Sequence, residues 1–296
     1  MKTYFDTNIF EKWNKDYASD SYHDFFDILT KKTDIYIGVG HIEELSIALS
    51  NDSSGKYVDS NKRRERMMEL LSGSKILGPY ANGQKCVGVL YHKIEDCRSV
   101  IEEFDTRRDI QETAMYVAEK NKYELKSLRQ QNPSAKNYTN LSPAEIWEVS
   151  EMKSLLQQFP DFYNSYDRSN LARLLSSSAY NLDLGQIILI HILTNVQQYS
   201  FSLKRDCFSE IKDVYPLLEC VFEFLNLCLK KVGYNVDTSA RTSISASYDL
   251  QHVLTATYCD YFVTNDKKLQ KRANALYTYT GANTKCISYE EFIKLL

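Results

Sequence analysis

Residues 247–272, SYDLQHVLTATYCDYFVTNDKKLQKR, leave this chain few ways to fold. Leu250, Val253, Leu254 and Thr257 fall at the spacing that lines one side of a helix beginning at Asp249. Cys259 and Asp260 break that spacing, and Tyr261-Phe262-Val263-Thr264 is a short apolar run of β-favouring residues. Asn265 and Asp266 close the run, and a second helix starts at Lys267 and continues to Ala275. Helix, strand, acidic turn, helix is a unit of an open α/β sheet. Such sheets bind ligands just beyond the carboxyl ends of their strands, where Asp266 stands. Both aspartates also have a plainer reading as N-caps, Asp249 of the first helix and Asp266 of the second.

The chain opens with the same arrangement. In MKTYFDTNIF a short apolar strand ends at once in Asp6-Thr7-Asn8, giving a second strand with an aspartate at its tip. A third apolar run, Ile35-Tyr36-Ile37-Gly38-Val39, leads into the helical stretch His41-Ile42-Glu43-Glu44-Leu45. An Asp-Thr-Asn start, a glutamate helix after the second strand, and a Thr-Asn-Asp near the end together resemble the PIN-domain nuclease family. Thr284-Lys285-Cys286-Ile287-Ser288-Tyr289-Glu290-Glu291-Phe292 is similar to that family's last strand and helix. The resemblance covers roughly the first 50 and last 50 residues, and it implies an α/β fold with a parallel sheet flanked by helices. It maps four acids onto Asp6, Glu44, Asp249 and Asp266, with Glu43 as the alternative in the second position. HAD phosphatases also start with a strand-end aspartate, but they need another two residues later, where this chain has Asn8.

Glu44 and Asp249 stand 205 positions apart, far more than the family's usual connection. The intervening chain reads as mostly helical. One helix runs from Lys62 through Leu71, then a glycine-rich turn spans Gly73 to Pro79. Cys86–Leu90 is a small apolar run, and a long helical pattern follows from Ile94 to Leu128. Ser142-Pro143-Ala144-Glu145 is a helix start, with serine at the cap and glutamate three residues on. Gln186–Val196 and Leu217–Val232 are apolar nearly all round, but too short or too charged to cross a bilayer, and read as core helices. His191 within the first is expected to be a core histidine. The organisation expected is a PIN-like domain from 1–58 and 240–296, enclosing a large helical insertion over 59–239 that partly completes its core.

A net charge of −3 excludes bulk electrostatic binding of nucleic acid, so any grip on a polyanion must be local. Seven cysteines without CxxC spacing, an odd number, and an aspartate where a signal peptide needs an apolar core fit a reducing cytoplasm.

The four acids give the resemblance its chemistry. Hard carboxylate oxygens suit Mg²⁺ or Mn²⁺. Such an ion lowers the pKa of bound water and offsets charge building on a phosphoryl group. The function the resemblance implies is a metal-dependent endoribonuclease; the family includes toxin, RNA-processing and defence nucleases, and the sequence does not choose among them. A DNA nuclease with the same acids and a catalytically silent interaction protein are the alternatives. Asn8 and Asn265 are expected beside the acids as substrate or supporting contacts, while Asp260, before its strand, is expected to be structural. Lys267, Lys268, Lys271 and Arg272, on the helix after Asp266, are expected to meet phosphates together with free amides of its first turn. Lys62–Arg66 is a second basic cluster. The insertion is expected to select substrate, to bind a regulatory protein or to join a second copy of the chain.

Overall fold

In the computed structural model, residues 1–16, 27–38, 40, 41, 44, 74–82, 85–91, 138–166, 199–236 and 242–296 are described, the side chains of 14–16, 76, 78–82, 85–91 and 242–248 excepted. The expectations for Glu43, His191, Lys62–Leu71, Ile94–Leu128 and Gln186–Val196 lie outside the described residues.

Six strands form one sheet: β1 (Lys2–Phe5), β2 (Asp34–Gly38), β3 (Lys75–Asn82), β4 (Lys85–Tyr91), β5 (Tyr261–Val263) and β6 (Lys285–Ile287). Their order is β4-β3-β2-β1-β5-β6, with β4 antiparallel to β3 and every other pair parallel. β1 is central, and Thr3, Tyr4 and Phe5 are all buried, as expected of a strand covered on both faces. The register aligns Tyr4 with Tyr36 and Phe262, and Phe5 with Val263. Successive side chains therefore serve opposite faces.

Phe5 packs edge-on against Phe10 and Trp13 of α1 (Thr7–Asp16) and against Phe292 of the last helix, α7 (Tyr289–Ile293). Tyr4, Tyr36 and Phe262 join the larger core built with α4 (Tyr215–Lys231), α5 (Thr242–Ala256) and α6 (Lys267–Thr280). The short helices α2 (Ser150–Leu156) and α3 (Phe208–Ile211) add Met152 and Ile211 to the same core. The chain is thus an α/β fold whose mainly parallel sheet carries helices on both faces.

The expected plan needs correction in its middle. Lys75–Pro79 is the start of β3, not a turn, and β3 and β4 extend the same sheet. The Gly78-Pro79 pair disguised this strand. Only Lys75–Leu77 pairs with β2; beyond that β3 pairs with β4 alone, where a strand accommodates proline. Segment 59–239 supplies β3 and β4 to the sheet and α4 to the common core. α4 is the buried helix its sequence suggested, with Pro216 in its first turn. The Ser142–Glu145 cap is formed reciprocally, but it opens a short 3₁₀ turn, Glu145–Glu148.

Two glycines are required by geometry. A Cβ on Gly38 would lie 2.8 Å from Thr255 Cγ2 and 2.9 Å from the Tyr4 hydroxyl, so β2 passes tight beneath α5. Gly281 ends α6 at φ 76°, the left-handed cap that closes many helices. Among the described residues, no helix is long and apolar enough to cross a membrane.

Candidate functional site

The sheet order turns back at β1: β2 and β3 lie on one side of it, β5 and β6 on the other. A crevice at the carboxyl ends of β1 and β5 is where such sheets bind ligands. Asp6 follows β1 directly, 7% exposed, its backbone N–H donating to Val263 O at 2.9 Å. Asp266 follows β5 and is the N-cap of α6, accepting at Oδ1 from the N–H groups of Lys268 (2.7 Å) and Leu269 (3.0 Å).

The two strand tips are tied together by short polar side chains. Asn8 Nδ2 donates to Asp6 Oδ2 (2.5 Å) and Thr264 Oγ1 (3.0 Å), and its Oδ1 accepts from the Asn265 backbone (3.2 Å). Thr264 Oγ1 donates to Asp6 Oδ2 at 2.5 Å and accepts from the Asp266 N–H at 3.1 Å. Asn8 thus sits where it was expected, and Asn265 takes part through its backbone, its side chain exposed.

Glu44 and Asp249 each meet a cation of the chain itself. Glu44 Oε2 lies 3.2 Å from His252 Nε2 and accepts from the Thr7 hydroxyl. Asp249 Oδ2 accepts from Arg272 Nη2 at 2.7 Å, while Arg272 Nη1 donates to Asn235 O at 2.9 Å. Asp249 lies well inside α5 and does not cap it. Beneath Glu44 runs a buried polar chain. His252 Nδ1 is 2.8 Å from the Tyr4 hydroxyl, which is 3.2 Å from His41 Nδ1, and His41 Nε2 is 2.6 Å from Phe5 O. The Gly38 N–H donates to His41 Nδ1 at 3.1 Å, so Nε2 carries the ring proton and donates to Phe5 O.

The charges of the four acids act on one another, Asp6 being common to all of these couplings but one. Burial pushes Asp6 above its ordinary value, Glu44 and Asp266 add to this, and His252 and the Thr264 hydroxyl oppose it. Burial lifts Asp249 to about 7, Arg272 resisting and the charges of Asp6 and Asp266 adding. At Glu44 burial is outweighed by His252 and Thr7, and its carboxyl is held low. Burial disfavours the His252 charge, yet Glu44, Asp6 and Asp249 raise it to about 9. Burial and the neighbouring His252 push His41 down to about 3.

All four carboxylates share one feature. Asp6 Oδ2, Glu44 Oε2, Asp249 Oδ2 and Asp266 Oδ1 are anchored as described, and among the described residues the other oxygen of each makes no hydrogen bond or ion pair. Four hard oxygens held by their partners and left open at the other lone pairs suit a divalent cation. Among the described residues, no three His, Cys, Asp or Glu groups stand as a ready cluster for a metal, so an ion would have to draw these oxygens inward.

The basic residues divide. Lys267 and Lys268 are exposed at the start of α6. Lys271 donates to Thr139 O at 2.8 Å, and Arg272, 5% exposed, belongs to Asp249. Two of the first-turn amides expected to be free are taken by Asp266 itself. Asp260 is structural as expected, accepting from the Lys2 N–H at 2.8 Å at the opposite edge of the sheet. His41, His252 and Tyr4 were missed in the sequence. A signal was there: His41 precedes Glu44 by three residues and His252 follows Asp249 by three, the spacing that puts two side chains on one helix face.

No protein-family model matches this chain, and no curated protein and no solved structure does either.

Proposed function

We propose that this protein is a metal-dependent nuclease of the PIN-like kind that hydrolyses RNA, with Asp6, Glu44, Asp249 and Asp266 as its acidic centre. The observation that carries the proposal is that Asp6 and Asp266 stand at adjacent strand tips, coupled by charge to Glu44 and Asp249, each acid anchored through one oxygen with the other left open. A bound Mg²⁺ or Mn²⁺ would supply an acidified water and offset charge on the phosphoryl oxygens. Asp6 and Asp266 offer their open oxygens from adjacent strand tips, Asn8 and Thr264 fixing Asp6 between them. Lys267 is the exposed cation nearest in sequence to the site and is the proposed phosphate contact. Lys271 donates one of its three N–H groups to Thr139 O and stands beside Lys267 as a second candidate contact.

One observation favours the catalytically silent reading. Arg272 and His252 already balance two of the four acids, and no ready metal cluster stands among the described residues. The test is direct. Purified protein and an Asp6→Asn variant are incubated with pooled tRNA, rRNA, single-stranded RNA and DNA plus Mn²⁺. RNA cut by wild type and spared by the variant is the expected result. Cleavage of DNA instead makes it a DNA nuclease, and no cleavage of either leaves the interaction protein.

A further inference from the structure

We propose that His252 and Arg272 are positioning residues, hydrogen-bond donors that hold Glu44 and Asp249 so that their open oxygens face the cation site. This inference rests on the nuclease reading and concerns the same centre. Both side chains are buried, His252 at 1% exposure and Arg272 at 5%. Arg272 is fixed at two points, by Asp249 Oδ2 and the Asn235 carbonyl.

His252 holds Glu44 by a bond that does not depend on its protonation state. If the ring is neutral, the Tyr4 hydroxyl donates to Nδ1 and the hydrogen sits on Nε2, facing Glu44. If the ring is charged, Nδ1 donates to Tyr4 and Nε2 still donates to Glu44. The remaining arrangement, a bare Nε2, would set a lone pair 3.2 Å from a carboxylate. His41 is pinned between the Gly38 N–H and the Phe5 carbonyl, and its Nδ1 accepts the Tyr4 hydroxyl proton when the His252 ring is charged.

Asp249 and His252 stand three residues apart on α5, and Arg272 reaches in from α6. Two helices thus aim two acids that come from different parts of the chain. Residues that orient metal ligands in this way typically change metal affinity by roughly 10–100-fold when removed.

The experiment is a Mn²⁺ titration, by calorimetry or by loss of the free-ion electron paramagnetic resonance signal, across two double-mutant cycles. His252→Ala and Arg272→Met are each expected to weaken binding by roughly 10-fold or more. His252→Ala should cost much less in a Glu44→Gln background, and Arg272→Met much less in an Asp249→Asn background, because each acts mainly through its acid. His252→Gln, whose amide can still donate to Glu44, should recover part of the loss. Where a single variant does not fold, the paired variant, which removes both members of the contact, is compared with the acid variant alone. Wild-type affinity in both donor variants, or losses that simply add, overturns this inference and leaves the nuclease reading in place. Absence of Mn²⁺ binding by the wild-type protein overturns both.

Discussion

At the scale of single residues, the Arg272–Asp249 pair separates folding from function. Both partners are largely buried, and removing one side of such a pair leaves an uncompensated charge, which typically costs about 3–5 kcal/mol. Arg272→Met is therefore expected to lower stability to urea by about that amount, and adding Asp249→Leu should restore most of it. The sign of the pH dependence follows from Asp249. Its folded value, about 7, lies above the unfolded value of about 4, so its charge disfavours the fold increasingly as pH rises through that window. The loss in Arg272→Met, measured in chelator-treated protein, should be smaller at pH 5 than at pH 8. A loss that does not change with pH would mean that Asp249 is not the group left unpaired.

At the scale of elements, Asp266 has two duties that substitution can pull apart. It caps α6 through two backbone N–H groups and leaves Oδ2 open to the site. Asparagine is as good a cap as aspartate, whereas alanine costs typically about 1 kcal/mol. Asp266→Asn should therefore keep the melting temperature close to wild type and lose RNA cleavage, while Asp266→Ala should lose both. Full cleavage by Asp266→Asn would reduce Asp266 to a cap. The same element shows how much the sequence could disclose. The tips of β1 and β5 were legible because a short apolar run that stops at an acid admits few other structures. β3 was not legible, because Gly78-Pro79 has the chemistry of a turn, and only pairing on one side makes it a strand. Nor was the Glu44–His252 contact, which joins residues 208 apart and exists only once β2 and α5 are packed together. Local chemistry in the sequence shows where an acid sits along its own strand or helix. What that acid faces is decided by the fold.

At the scale of the whole molecule, the centre depends on global folding, since it joins residues 6–8 to residues 264–266 across the middle of the sheet. A cation that binds there binds only the native state, so it stabilises the protein by mass action, by about 2.7 kcal/mol at a concentration 100 times its Kd. Asp6 makes this visible. It is buried and lies in the field of Glu44 and Asp266, so its charge strains the metal-free protein. Its anchoring oxygen accepts from Asn8 and Thr264, and an asparagine oxygen can accept the same two bonds. Asp6→Asn should therefore melt at or above the wild-type temperature in chelator, because it removes repulsion without removing a hydrogen bond. In millimolar Mn²⁺ the order should reverse: wild type rises by several degrees and the variant stays where it was. Crossing melts of this kind are what an acidic centre kept for a cation, at some cost to stability, ought to give. If wild type does not respond to Mn²⁺ and Asp6→Asn melts lower in chelator, Asp6 is a structural carboxylate and the cation site fails.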